Sequence, residues 1–209
     1  MPKRSYDQYC GLARALDVIG GRWSLLIVRE LLVGPARYGE LQAGLPGIAT
    51  NLLAERLREL EETGIVQRTL AAEGNGVVYM LTPWGSELRG AVGALVNWST
   101  PLMISGPRAD DSFRGHWLVV ALNSLLADRR SDTPTTVGVA VDDEVVSVRI
   151  DEKGTHVELC RGEEPATVLR GEAAVVLGMA SGMLTVDQAV AASDLRGKKK
   201  DLVSAFARG

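Results

Sequence analysis

Asn51, Glu55 and Arg58 stand four and three residues apart, a spacing that puts them on one side of a helix. An amide, a carboxylate and a guanidinium so arranged suit hydrogen-bond readout of base edges. Asn matches adenine, Arg matches guanine or phosphate, and Glu accepts from cytosine. Thr50 opens the same turn and Ala54 lies beside the polar face. On the opposite side Leu53, Leu57 and Leu60 repeat at the helical period, with Leu52 on the flank. One face can thus be clamped to a domain while a short polar face is left free. A second reading of the same residues is an amphipathic surface helix carrying ion pairs such as Arg58–Glu62, and the helix alone does not separate the two. Arg56, beside Leu52 and Leu60, is read as bracing the fold, with a DNA contact as the other reading.

Catalytic chemistry finds little footing. His116 and His156 are the only histidines, and neither accompanies a nucleophile motif. HxxxH, CxxC, a Gly-rich phosphate loop and a Ser-centred elbow are all missing, and metal-ligand types are not clustered. No catalytic residue, metal or cofactor is expected, and the chain is read as a non-enzyme. The two cysteines, Cys10 and Cys160, do not make a disulfide framework, which favours a reducing compartment.

The elements that must hold the reading face follow from the flanking sequence. A helix is expected over 9–19, stopped by Gly20-Gly21, and a second over 23–32, stopped by Gly34-Pro35. Arg22 and Ser24 lie at the start of that second helix, where an N-terminus suits phosphate, although Ser24 also reads as its cap. A short helix runs from Tyr38 to Gly44, Tyr38 being placed either to touch phosphate or to pack. Leu45-Pro46-Gly47 makes a turn, and the third long helix spans 51–63 with Gly64 just beyond. Two strands, 66–70 and 77–81, enclose a tip containing Asn75-Gly76, a strong hairpin signal. Arg68 on the first strand is placed to reach a phosphate backbone. Thr82-Pro83 opens one further helix to about Met103. Helix, turn, helix and hairpin in this order form a helix-turn-helix with a wing, so Arg22, Ser24, Tyr38, Thr50, Asn51, Ala54, Glu55, Arg58, Arg68 and Asn75 are the candidate DNA contacts.

Beyond Ser105–Asp111 the texture changes. A helix over 117–127 precedes candidate strands at 136–141, 145–151, 155–160 and 166–169, then helical segments at 172–180, 186–193 and 199–207. The expected fold is two domains: residues 1–105, mainly α, a winged helix-turn-helix, and residues 110–209, α+β with an antiparallel sheet covered by helices.

With 46% hydrophobic and 23% charged residues among 209, the composition is that of an ordinary globular protein. Neither a membrane span nor a secretory leader is read, and the expected location is cytoplasmic. Net charge is −3 overall, but residues 1–109 carry +1 and 110–209 carry −4, and ten of the eleven cations in the first part are Arg. Arg grips phosphate and guanine bidentately.

Leu16-Asp17-Val18-Ile19-Gly20-Gly21-Arg22-Trp23, Leu45-Pro46-Gly47-Ile48, Leu57-Arg58-Glu59-Leu60-Glu61 and Leu81-Thr82-Pro83-Trp84-Gly85 occur in that order. From Cys10 to about Trp98 the chain resembles the HxlR family of bacterial winged-helix regulators, relatives of the MarR group. The resemblance implies a homodimer on an inverted-repeat DNA operator, joined through the first and last helices of the domain, and transcriptional control. Some members use an N-terminal Cys as a redox switch, which points to Cys10; Arg14, one turn on, is placed to favour its thiolate. A half-buried Cys at a dimer edge is the other reading. Four positions depart from the family pattern. Ala49 replaces a usual Ser cap, with Thr50 positioned to take over, and Ala54 replaces a hydroxyl residue. Asn75-Gly76 replaces a Pro and a basic residue at the wing, and Gly11 replaces a Pro.

The stretch from Ala173 through Met179-Ala180-Ser181-Gly182, Thr185–Ala189 and Arg196–Phe206 looks like a sterol-carrier-protein-like domain covering about 114–207. The resemblance implies a hydrophobic small-molecule effector in an apolar tunnel, with Trp117, Met179, Met183, Leu184 and Phe206 as candidate lining. Core packing is the other reading of each. The combined expectation is a DNA-binding regulator responsive to an apolar molecule. The alternative is a hydrophobic-ligand-binding protein whose winged helix serves only to dimerise.

Overall fold

In the computed structural model, residues 5–71, 76–103 and 106–207 are described. The chain falls into two compact units, Met1–Val92 and Gly93–Gly209.

The first unit begins with α1 (Gly11–Ile19) and α2 (Ser24–Val33). Between them Trp23 takes φ 80°, left-handed backbone that turns the chain into α2. The apolar side of α2 buries Ile27, Val28, Leu31 and Leu32, while Leu26 faces outward. α3 (Tyr38–Gly44) follows, and a turn with Gly47 at φ 85° leads to α4 (Thr50–Glu62). Leu53, Leu57 and Leu60 are 2% exposed or less, so the 3.6-residue period of the sequence is the buried face of the helix. Each contributes about 1.5–3 kcal/mol of apolar burial. The sequence expectation for α4 holds within one residue at each end. β1 (Val66–Leu70) and β2 (Val77–Leu81) pair antiparallel, Val66 opposite Leu81 and Arg68 opposite Tyr79.

The single helix expected after Thr82 is broken. It forms α5 (Pro83–Ser86), α6 (Leu88–Ser99) and a 3-10 turn over Thr100–Met103. Thr82 caps α5 by accepting from Gly85 N–H at 2.9 Å and donates to the Gly64 carbonyl at 2.6 Å. Pro101 at the far end cannot donate to a continuing α-helix. Gly85 allows close approach: a Cβ there would stand 2.1 Å from the Ile65 carbonyl oxygen.

The second unit contains α7 (Trp117–Leu125), then β3 (Thr135–Val141), β4 (Glu144–Asp151), β5 (Gly154–Leu159) and β6 (Val168–Arg170). α8 (Ala173–Ser181), α9 (Val186–Ala191), β7 (Asp194–Arg196) and α10 (Lys199–Phe206) complete it. The sheet order is β5-β4-β3-β6-β7. It is mixed rather than antiparallel as expected, because β6 enters by a crossover and pairs parallel to β3. Gly138 permits that pairing; a Cβ there would meet Val168 Cγ2 at 2.9 Å. The strand β7 was not anticipated. Val137, Val139, Val146, Val148 and Leu169 are fully buried and share one sheet face by register. Arg149, His156 and Glu158 lie exposed on the other. α7 packs on β5 and β4, and α10 on β3 and β4. Cys160, expected within a strand, lies just past β5, half-buried against Ala140, Val145 and Val168.

Among the described residues no helix is long and apolar enough to cross a membrane.

Candidate nucleic-acid interface

The start of α4 is positioned by α3. Tyr38 donates its hydroxyl hydrogen to the Thr50 carbonyl at 2.7 Å, and Gln42 donates from Nε2 to Thr50 Oγ1 at 2.8 Å. Leu41, Leu45 and Ile48 are buried beneath this turn. Tyr38 and Thr50 therefore fix the angle between the two helices before any ligand arrives. Gln42 gave no sequence signal, since its partner lies eight residues on across the turn.

Asn51, Ala54 and Arg58 are exposed on α4, and Glu55 is partly so. They share the face opposite Leu53, Leu57 and Leu60, as expected. The cations of this helix are not free. Arg58 lies 3.9 Å from Glu62, and Arg56 pairs with Glu59 and lies 3.7 Å from Glu55. Arg56 also packs beside Gly21 and Ser24, the bracing position expected of it. On the wing, Arg68 donates to Glu61 at 2.8 Å, and that hydrogen bond, with the charge of Glu61, holds the guanidinium firmly protonated.

Several candidates sit differently from expectation. Ser24 is the first residue of α2 and only 2% exposed, and the cap position belongs to Trp23 without a side-chain bond. So buried, it is not open to a phosphate. Arg22 is exposed and lies over the Trp23 ring at 5.7 Å. Thr50 does not take over as cap: Ala49 holds that position and supplies no side-chain bond. Asn75 lies outside the described residues.

Cys10 is exposed at the N-cap of α1. The backbone N–H groups of Ala13 and then Leu12 hold its thiol below the ordinary value. Arg14, expected to help, instead faces Asp17 at 3.7 Å. In the second unit, Met179 and Phe206 are 1% and 3% exposed and belong to the core, whereas Met183 is 41% exposed. Trp117 is half-buried with its ring edge-on to Phe113 at 5.7 Å, and Leu184 packs against Gly178. The five residues expected to line one pocket are divided between interior and surface. Among the described residues no group of His, Cys, Asp and Glu is placed to hold a metal.

Two helices crossing at a fixed turn, followed by a two-stranded hairpin, define a winged helix-turn-helix protein. A family model described as HxlR-like helix-turn-helix matches residues 18–105. The chain is 39% identical over 88 residues to the HTH-type transcriptional regulator YvaP of Bacillus subtilis (strain 168), covering 42% of this chain and 82% of that protein. It is 37% identical over 86 residues to the HTH-type transcriptional regulator YodB of the same organism, covering 41% and 77%. The solved structure of the reduced form of YodB is 33% identical, covers 48% of this chain and all of the other, and has a TM-score of 0.41. On the sequence matches, the chain belongs to the HxlR-like helix-turn-helix family. These relatives are transcriptional regulators, and the family match ends before β3.

Proposed function

We propose that this protein is a homodimeric transcriptional regulator that reads an inverted-repeat DNA operator through α4. The observation that carries the reading is the division of α4: Leu53, Leu57 and Leu60 are locked into the core while Asn51 and Ala54, in its first two turns, and Arg58, in its third, stand in solvent. A groove-reading helix needs that division. Asn51 and Arg58 contact base edges, Thr50 and Glu55 border them, and Arg22 grips phosphate. Footprinting on the DNA flanking the protein's own gene tests this. Two protected half-sites one helical turn apart are expected; cleavage unchanged by protein would refute it.

The second unit, a sheet with helices on its apolar face, is proposed to take a hydrophobic small molecule that favours one dimer geometry. Native mass spectrometry of the purified protein should show a retained apolar ligand. The pairing of Arg58 and Arg68 with Glu62 and Glu61 favours a second reading, in which the winged helix only dimerises a hydrophobe-binding protein. Cys10, exposed and shifted toward thiolate, fits a redox input to the same dimer.

A further inference from the structure

The cations of the first unit divide by whether a carboxylate already holds them. Arg14, Arg29, Arg56, Arg58 and Arg68 each have one within 4 Å, and Arg89 donates to the Leu32 carbonyl at 3.3 Å. Arg22 and Arg37 are exposed and, among the described residues, have no carboxylate partner; Arg22 lies over the Trp23 ring, which leaves Arg37. It precedes α3, in the segment that ties the helix-turn-helix to the wing.

The backbone there is fixed on both sides. Ala36 and Tyr79 exchange two hydrogen bonds, Ala36 N–H to the Tyr79 carbonyl at 3.0 Å and Tyr79 N–H to the Ala36 carbonyl at 2.8 Å. Ala36 thereby adds a single bridge to the edge of β2. Arg37 N–H donates to the Glu40 carboxylate at 2.5 Å, and the next residue, Tyr38, is bonded to the start of α4. The guanidinium lies across Gly76, the residue before β2: a Cβ at 76 would sit 3.5 Å from Arg37 Cζ. That is ordinary van der Waals distance, so the guanidinium rests against the backbone at the base of the wing.

We propose that Arg37 is a phosphate-binding residue of the interface, the cation that anchors the wing side of the domain to the DNA backbone. This rests on the DNA-binding reading above. A planar fork on a fixed backbone, with no carboxylate holding it among the described residues, is ready to meet phosphate, whereas Arg58 and Arg68 must first leave Glu62 and Glu61. Its contribution is to affinity on any sequence, because a phosphate contact carries no base information.

The test is the salt dependence of binding by the full-length protein to a random-sequence duplex, followed by fluorescence anisotropy for the wild type, Arg37→Ala and Arg37→Lys. One phosphate contact contributes about 0.9 to the slope of log K against log salt. Arg37→Ala should lower the slope by about that amount per protomer. Between 50 and 200 mM salt the wild type should then lose roughly 3- to 4-fold more affinity per protomer than the variant. Arg37→Lys, which keeps the charge, should retain the wild-type slope. An unchanged slope in Arg37→Ala overturns the proposal, and so does an Arg37→Lys slope as low as that of Ala, which would mark a packing role. A wild type that binds no duplex overturns the DNA-binding reading itself, and that result differs from either of these.

Discussion

Asn51 and Arg58 are exposed side chains whose removal leaves the buried face of α4 untouched. The Arg58–Glu62 pair is solvent-exposed and contributes about 0.3–0.5 kcal/mol at most. Asn51→Ala with Arg58→Ala should therefore leave the thermal midpoint nearly unchanged while weakening operator binding by about 1–3 kcal/mol for each bidentate base pairing removed. Equal operator affinity in an anisotropy titration would mean that another face reads the DNA. At Cys10 the N–H groups of Ala13 and Leu12 favour the thiolate, so its alkylation by iodoacetamide should set in at lower pH than for an ordinary thiol. Mass mapping should find Cys10 labelled before Cys160, which is half-buried with its S–H directed at the Glu163 carbonyl at 3.3 Å. Single residues were the least legible part of the sequence. Spacing placed Asn51 and Arg58 on the open face, but burial of Ser24 and the bonds of Tyr38 and Arg68 depend on partners brought from elsewhere in the chain.

At the scale of elements, α4 begins without a side-chain cap. Ala49 is exposed with extended backbone, the geometry an N-cap serine adopts. Ala49→Ser should stabilise the first unit by about 1 kcal/mol, read as a rise of roughly 4–8 °C in its melting temperature; no rise would show that the turn already satisfies the helix start. Gly85→Ala should act oppositely, by about 1–3 kcal/mol, because its methyl would meet the Ile65 carbonyl. In the second unit Glu164 accepts from Arg170 at 2.5 Å and pairs with Arg196 at 2.9 Å, joining the crossover to β6 and β7. The hydrogen bond from Arg170, then the charges of Arg170 and Arg196, hold its carboxyl below the ordinary range. A depressed folded value means stabilisation present above the unfolded value of about 4.3 and lost as pH falls through the folded one. Acidification below about pH 4.3 should thus loosen the β6–β7 edge in the wild type and less in Glu164→Gln, as read by hydrogen exchange. Helices and hairpin of the first unit were legible because period, glycine stops and turn dipeptides agree there. The parallel β6 was not, since direction is set by a crossover that carries no local signal. Nor was β7, three residues between two helical patterns.

For the whole molecule, Tyr9, Leu12, Trp98 and Leu102 are each at least 70% exposed, on the segment ahead of α1, on α1 itself, on α6 and on the turn after it. Large apolar side chains left in water on and beside α1, and likewise on and beside α6, each suit burial against a second copy. Sedimentation should find a dimer at micromolar concentration, and Leu12→Glu with Trp98→Glu should yield monomers. The net charge of −4 on residues 110–209 works against loose association with DNA, so the attraction has to come from the first unit. A regulator of this kind must distinguish one DNA sequence from others. The most direct measurement of that is the ratio of affinities for the flanking chromosomal fragment and for a random duplex of equal length, titrated by anisotropy at physiological salt. A ratio of about 10³ or more is predicted. A ratio near one, with both duplexes bound alike, would contradict it.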